Sequence, residues 1–224
     1  MPAFGRLHAP DERDRHFPMS AVLRAAAPLR TERFYRTGPV LNQGDLPQCV
    51  RFAWWQFLRS APIMTAIELS GDFYTECQRA DEWPGEDYDG TSVRAGAKVL
   101  QDKGRLASYV WSWSAAEMRD WILRSHGTVV MGTNWYSGMN TPSPRTGFVP
   151  LTGALVGGHA YLCIGYSERR GAFRFINSWG ATWGQRGRFW TKGEDVDRLL
   201  KEDGEACSAV EQKLVTLPVA DGAS

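Results

Sequence analysis

Asn42-Gln43-Gly44-Asp45-Leu46-Pro47-Gln48-Cys49 is a Gly/Pro/Gln loop that runs into the apolar stretch Phe52-Ala53-Trp54-Trp55-Gln56-Phe57-Leu58. The change in composition predicts a helix that starts at about Cys49 and stops near Ala61-Pro62, where proline cannot continue it. A cysteine at the first turn of a helix lies among unpaired backbone N–H groups and the positive end of the helix dipole. Both favour a thiolate. Two later strings supply partners for such a thiolate: Gly157-Gly158-His159-Ala160 and Asn177-Ser178-Trp179-Gly180. His159 opens the apolar run Ala160-Tyr161-Leu162-Cys163-Ile164, and Asn177 closes Phe173-Arg174-Phe175-Ile176, so both read as strand-end residues facing a cleft. The alternation of that first run puts Tyr161 and Cys163 on the His159 face.

Taken singly, each residue has an ordinary explanation: a buried cysteine, a turn histidine, an Asn-Ser turn. Together they are a nucleophile, a base and an amide that accepts from one imidazole nitrogen while the other faces sulfur. Gln43, six residues before Cys49, brings a side-chain amide toward a developing oxyanion, with the Cys49 backbone N–H as second donor. Gly44 allows close backbone approach there.

The chain of 224 residues suits one large domain or two small lobes sharing a core. A net charge of +1 without a basic run gives no footprint for nucleic acid. No stretch approaches the length of a membrane span, and no apolar core of a signal peptide follows Met1. The expected compartment is the cytoplasm, with association with a virion or export by a non-classical route left open. Cys49, Cys77, Cys163 and Cys207 are widely spaced and give no zinc pattern, so no metal or other cofactor is expected.

Residues 1–20 read as an extended arm. Further helices are expected from Thr65 to Cys77, after the cap Thr91 or Ser92, after Ser114-Ala115-Ala116-Glu117, and from Asp195 to Lys201. Strands are expected at Val129–Met131, Ala160–Tyr166, Ala172–Ile176, Gly187–Thr191 and Val210–Leu217. Residues 136–153 form a long loop that is either a lid or a connection. Helices first and strands second make an α+β protein: a helical lobe over 41–110, a sheet-rich lobe over 111–224, and an N-terminal arm, 1–40, packing on the sheet-rich lobe.

These motifs resemble the papain-like cysteine peptidases. The resemblance rests on Asn42-Gln43-Gly44 with Cys49, Gly158-His159-Ala160, Gly165-Tyr166, and Asn177-Ser178-Trp179-Gly180 continued by Trp183-Gly184 and Gly187. It implies a two-lobed fold, with a helical left lobe, an antiparallel β-barrel-like right lobe and the active-site cleft between them. It further implies Gln43, Cys49, His159 and Asn177 as the catalytic set, Trp179 as an indole shielding the asparagine, and a polypeptide substrate. Asp89, Gly90 and Thr91 resemble the segment whose backbone binds extended peptide; Gly158 would line the same cleft, with Met131, Gly132 and Thr133 on the facing wall. Short prokaryotic or phage members are the nearest in character, and a regulatory or phage-particle protein is a conceivable partner. An amidase, a transpeptidase or a catalytically inactive binding protein would share the scaffold.

The departures are local. Leu46-Pro47-Gln48-Cys49-Val50 lacks the upstream cysteine and the following aromatic residue of the usual signature. Arg51 stands where a small residue is preferred and needs a partner or a solvent path; it could also support a thiolate. A long inhibitory pro-segment is not evident, so restraint is expected from localisation, a partner or a narrow cleft. Asp81, Glu82, Glu86, Asp87 and Asp89 form an acidic loop that would favour basic substrates if it rims that cleft.

Overall fold

The computed structural model describes residues 3–23, 30–81, 83 and 88–211. It is a mixed helix and antiparallel-sheet fold. Helix α1 (Cys49–Leu58) is buried on almost every side, as its nearly unbroken apolar sequence requires. The expected helix at Thr65–Cys77 is instead α2 (Gly71–Ala80). Thr65 donates both its backbone N–H and its hydroxyl to the Leu58 carbonyl. The chain therefore folds back over the end of α1 before a new helix starts. Helix α3 (Val93–Asp102) is capped by Ser92, whose hydroxyl accepts from the Ala95 N–H. Helix α4 (Ala115–Leu123) is capped by Ser114. Glu117 does not complete a reciprocal capping box; its carboxylate accepts from the Ser20 N–H and pins the arm.

The sheet holds β1 (Glu32–Phe34), β2 (Ser108–Ser112), β3 (Val129–Tyr136), β4 (Leu155–Ser167), β5 (Ala172–Ile176), β6 (Arg188–Lys192) and β7 (Glu205–Glu211). Its order is β2-β7-β3-β4-β5-β6, with β1 paired to β4, all antiparallel and open. Strands β1 and β2 were not expected. The closing strand lies earlier than Val210–Leu217, because its core residues Ala206, Cys207 and Ala209 are small and give little hydrophobic signal; residues 212–217 lie outside the described ones. Helix α5 (Gly193–Lys201) follows β6.

The period of two along the strands divides the core. Val130, Ala160, Leu162, Ile164, Cys207 and Ala209 pack toward α1, α2 and α3. Val129, Met131, Tyr161, Cys163 and Phe175 pack on the opposite face with α4 and α5. Residues 137–154 are a packed connection: Met139, Val149 and Leu151 are buried, and the Trp183 indole donates to the Asn140 carbonyl. The stretch expected as an extended arm contains short 3-10 turns at Glu12–His16 and Met19–Ala21. Among the described residues, no helix is long and apolar enough to cross a membrane.

Candidate active site

The N-terminus of α1 meets the middle of β4, where the Ala160 N–H lies 3.4 Å from Cys49 Sγ. His159, the preceding residue on β4, pairs in register with Thr133 of β3. Its Nε2 is 2.8 Å from Asn177 Oδ1, which also accepts from the Ser178 N–H at 2.8 Å. The Asn177 oxygen thus fixes the ring and leaves Nδ1 as the free nitrogen; Nδ1 is buried and without a hydrogen-bond partner among the described residues. Trp179 stacks on His159 at 4.6 Å, and Trp135 packs edge-on at 4.9 Å.

Gln43 is held at both ends. Its Oε1 accepts from the Ser178 hydroxyl at 2.6 Å and its Nε2 donates to the Leu46 carbonyl at 2.8 Å. The same Nε2 reaches the Ala3 carbonyl at 3.2 Å. A peptide carbonyl of a distant segment therefore accepts from the amide that sequence reading aimed at an oxyanion.

That carbonyl belongs to the N-terminal arm, which fills the cleft. Phe4 packs against His159 at 5.8 Å and Trp179 at 6.0 Å. The Gly5 and Arg6 N–H groups both donate to the Gly158 carbonyl. On the other wall the Thr91 N–H donates to the Gly5 carbonyl and the Thr91 carbonyl accepts from Leu7 N–H, each at 2.9 Å, as a parallel pairing. Gly158 and Gly5 are glycines because the backbones touch. A Cβ on Gly158 would sit 2.1 Å from the Arg6 carbonyl oxygen, and one on Gly5 2.0 Å from the Pro47 carbonyl oxygen.

Burial under the arm governs the electrostatics. Cys49 and His159 are both fully covered. Loss of solvent pushes the thiol up to about 12, against the pull of backbone N–H groups and the Arg6 charge. It lowers the imidazole to about 4, against the Asn177 hydrogen bond. With the cleft filled, both groups are neutral at pH 7.

The other expected cleft residues divide. Gly90 and Thr91 line the peptide path, braced by the Tyr74 hydroxyl on Gly90 N–H and by Asp81, whose carboxylate accepts from both Thr91 and Ser92 hydroxyls. Asp81 is thus a brace for this loop; Asp89 is exposed beside it, and Glu82, Glu86 and Asp87 lie outside the described residues. Met131 does not reach the cleft: it is fully buried in the core on the far face of β3, while its neighbour Gly132 faces Arg6. Arg51 has partners away from the thiol, donating to the Leu69 carbonyl and Gln48 Oε1 and lying over the Phe52 ring. The cation felt by Cys49 is Arg6. Cys49, Cys77, Cys163 and Cys207 are all free thiols. Sequence reading missed the arm's place in the cleft, Arg6 and Glu205; no motif marks them.

A thiol at a helix N-terminus, an imidazole held by an asparagine and a glutamine amide come together on a papain-like fold. Solved structures agree on the fold. Xylellain, a cysteine protease from Xylella fastidiosa, superposes with a TM-score of 0.72 at 19% identity, over 93% of this chain and 97% of that one. Procathepsin L2 from Tenebrio molitor larval midgut gives 0.72 at 16% identity, over 93% and 78%. The Carica candamarcensis cysteine protease CMS1MS2, in complex with E-64, gives 0.62 at 15% identity, over 83% and 100%. No protein-family model matches the chain, and neither does any curated protein.

Proposed function

We propose that the chain is a cysteine peptidase that cleaves polypeptide amide bonds through a thioacyl intermediate on Cys49. The observation that carries this reading is the Ala3 carbonyl on Gln43 Nε2, in a site with the His159–Asn177 pair. A peptide lies in the cleft with a carbonyl oxygen on the donor that would stabilise an oxyanion. Once the cleft opens to water, the penalty on both charged forms is lifted and a Cys49 thiolate and His159 imidazolium can form. The thiolate attacks the carbonyl carbon, and Gln43 Nε2 holds the oxygen. His159 passes its proton to the leaving amine as the C–N bond breaks. Water then attacks the thioester with His159 as base, releasing the acid and restoring the thiol–imidazole pair. The four free thiols suit a reducing compartment.

The arm is a built-in inhibitor that resists cleavage by running the wrong way. His159 must reach the leaving amine, so the amine side of a cleavable peptide lies over His159 and Trp179 and the acyl side along Thr91. In the arm the earlier residue, Phe4, lies on His159 and Trp179, and Gly5 to Leu7 follow along Thr91. This is a source of restraint within the chain itself.

The test is iodoacetamide labelling of Cys49, located by mass spectrometry, and hydrolysis of fluorogenic peptide amides, in the wild-type chain and in Gly5→Ala. The expected result is slow labelling in the wild type. In Gly5→Ala, labelling below pH 7 should be fast and lost in a further His159→Ala change, and peptide release should vanish with Cys49→Ala. Labelling of the opened chain with an ordinary thiol pH dependence, together with no peptide release, would sink the reading. Release only when an amine acceptor is supplied would make the enzyme a transpeptidase.

A further inference from the structure

A cavity of about 580 Å³, open to solvent, is walled by β1, β5 and β6, and none of Gln43, Cys49, His159 or Asn177 lines it. Four arginines reach it from separate stretches of chain. Arg36 follows β1, Arg170 ends the 3-10 turn between β4 and β5, Arg174 is on β5 and Arg188 opens β6. Arg174 pairs in register with Trp190, and Arg188 precedes Trp190 by two residues, so these three side chains stand on one face of the sheet. The cluster is assembled by strand pairing, which is why no basic run marks it in the sequence.

The Trp190 ring seats two of the guanidiniums, with Arg170 4.7 Å and Arg174 4.9 Å from its centre. Gln185 Oε1 accepts from Arg174 Nη1 at 2.8 Å, and Thr37 Oγ1 accepts from Arg188 Nη2 at 2.9 Å. Both acceptors are neutral. Among the described residues no Asp or Glu lines the cavity, and none of the four arginines is in an ion pair. A chain with 26 Lys and Arg against 25 Asp and Glu has acid enough to pair them, yet this wall has none.

Like charges held this close oppose one another. Burial first, and then the Arg188 and Arg170 charges, push Arg174 down to about 10. An anion relieves that repulsion, and the planar forks of guanidiniums match the oxygens of a phosphate. An acidic peptide would need a separate side chain for each arginine. Linked phosphates bring several charges in one small molecule, which this volume admits. Phe148 stacks on Trp190 at 6.2 Å and Phe34 meets it edge-on at 5.7 Å, so that ring belongs to the wall and recognition falls to the guanidiniums.

We propose that this cavity binds a compact anion with two or more linked phosphate groups, held by Arg36, Arg170, Arg174 and Arg188. The site does not rest on the peptidase reading.

The test is calorimetric titration of the full-length chain, without divalent cations and at about 0.1 M salt, with inorganic triphosphate, adenosine triphosphate or citrate, which carries its charge on carboxylates. Triphosphate should bind one to one, at least about tenfold more tightly than citrate. Arg170→Gln and Arg174→Gln should each weaken it by about tenfold, the effect of one lost charged hydrogen bond. Arg169→Gln removes the same charge from the same turn but outside the cavity, and should change Kd by less than about twofold. If Arg174→Gln fails to fold, Arg170→Gln and Arg36→Gln, both at exposed positions, decide. Equal affinity for the two triphosphates assigns recognition to the phosphate chain. Tighter binding of adenosine triphosphate that still depends on Arg170 adds a contact from the nucleoside; both results uphold the site. No binding up to about 1 mM triphosphate, affinity no better than that of citrate, or equal losses in Arg169→Gln and Arg170→Gln would overturn it.

Discussion

His159 and Cys49 make closure of the cleft depend on pH from both sides. Covering lowers the imidazole from 6.5 to about 4 and raises the thiol from 9.0 to about 12, so the covered pair is neutral and holds one proton, on sulfur. The opened thiolate–imidazolium pair also holds one, on nitrogen, so closure does not change with pH while that ion pair persists. In acid the opened thiolate takes up a second proton that covered His159 refuses, and closure weakens. In alkali the opened imidazolium loses its proton while the covered thiol keeps one, and closure weakens again. His8, on the arm, is also lowered, by burial first and then by the Arg6 charge, and acts in the same direction as His159 in acid. Hydrogen exchange at the Gly5 and Arg6 amides, corrected for intrinsic rate, should be slowest near neutral pH and faster in acid; protection that rises as pH falls would contradict this. Asn177 works through His159 alone. In an arm-opened chain, Asn177→Ala should lower kcat by about 100-fold, the lower end of what a positioned general acid–base group contributes, with KM little changed. Steady-state kinetics reads the split.

At the scale of the element, the arm's seat is a backbone-to-backbone fit. Gly5 passes so close to the Pro47 carbonyl that Gly5→Ala cannot be accommodated without moving one of the two chains. Pro47 leads into buried α1, so the arm is the part that yields. Cys49 labelling at pH 7 should rise by tenfold or more, roughly the effect of 1.4 kcal/mol lost from closure, while the thermal unfolding of the rest changes little. Unchanged labelling would mean the fit is looser than it looks. The loop that grips the arm depends on the cap of α3. Ser92 accepts from the Ala95 N–H at 3.0 Å and donates to Asp81 Oδ1 at 2.5 Å. Ser92→Ala should cost about 1–2 kcal/mol by urea denaturation. It should also raise Cys49 labelling, because Asp81, which braces Thr91, loses one of the hydroxyls that hold it; a stability loss without that rise would separate the cap from the cleft.

Across the whole molecule, the N-terminal segment is a strap that ties α3, β2 and α4 together. Arg94 on α3 pairs with Asp11 and Asp14 of the arm and lies over Trp111 of β2. Further along, the Trp111 N–H donates to the Phe17 carbonyl, and Ser20 is tied to Glu117 on α4. Arg94→Ala leaves Asp11 and Asp14 facing each other without their shared cation. It should lower stability by about 1–3 kcal/mol, a few degrees in Tm for a chain of this size. It should also speed Cys49 labelling from a position far along the chain from Cys49. Calorimetry and labelling on the same sample check both.

Elements with strong local chemistry could be read from composition and pattern. Helix α1 was legible from the loop-to-apolar switch at Cys49, α3 from Ser92 and its apolar face, β5 from its aromatic alternation. The set Gln43, Cys49, His159 and Asn177 could be singled out because each carries a neighbourhood suited to the role proposed for it. Elements whose pairing comes from elsewhere were not: β1 and β2 are short and owe their form to β4 and β7, and α2 starts late because Thr65 bonds back to α1. Of the three residues expected on the facing wall, Met131 lies in the core while Gly132 meets Arg6, because successive residues of a strand face opposite sides of the sheet. The arm across the thiol, the Arg6–Glu205 pair and the neutral state of the covered site were decided by tertiary structure alone. They join residues from opposite ends of the chain through backbone contact and burial, and neither leaves a local pattern in the sequence to read.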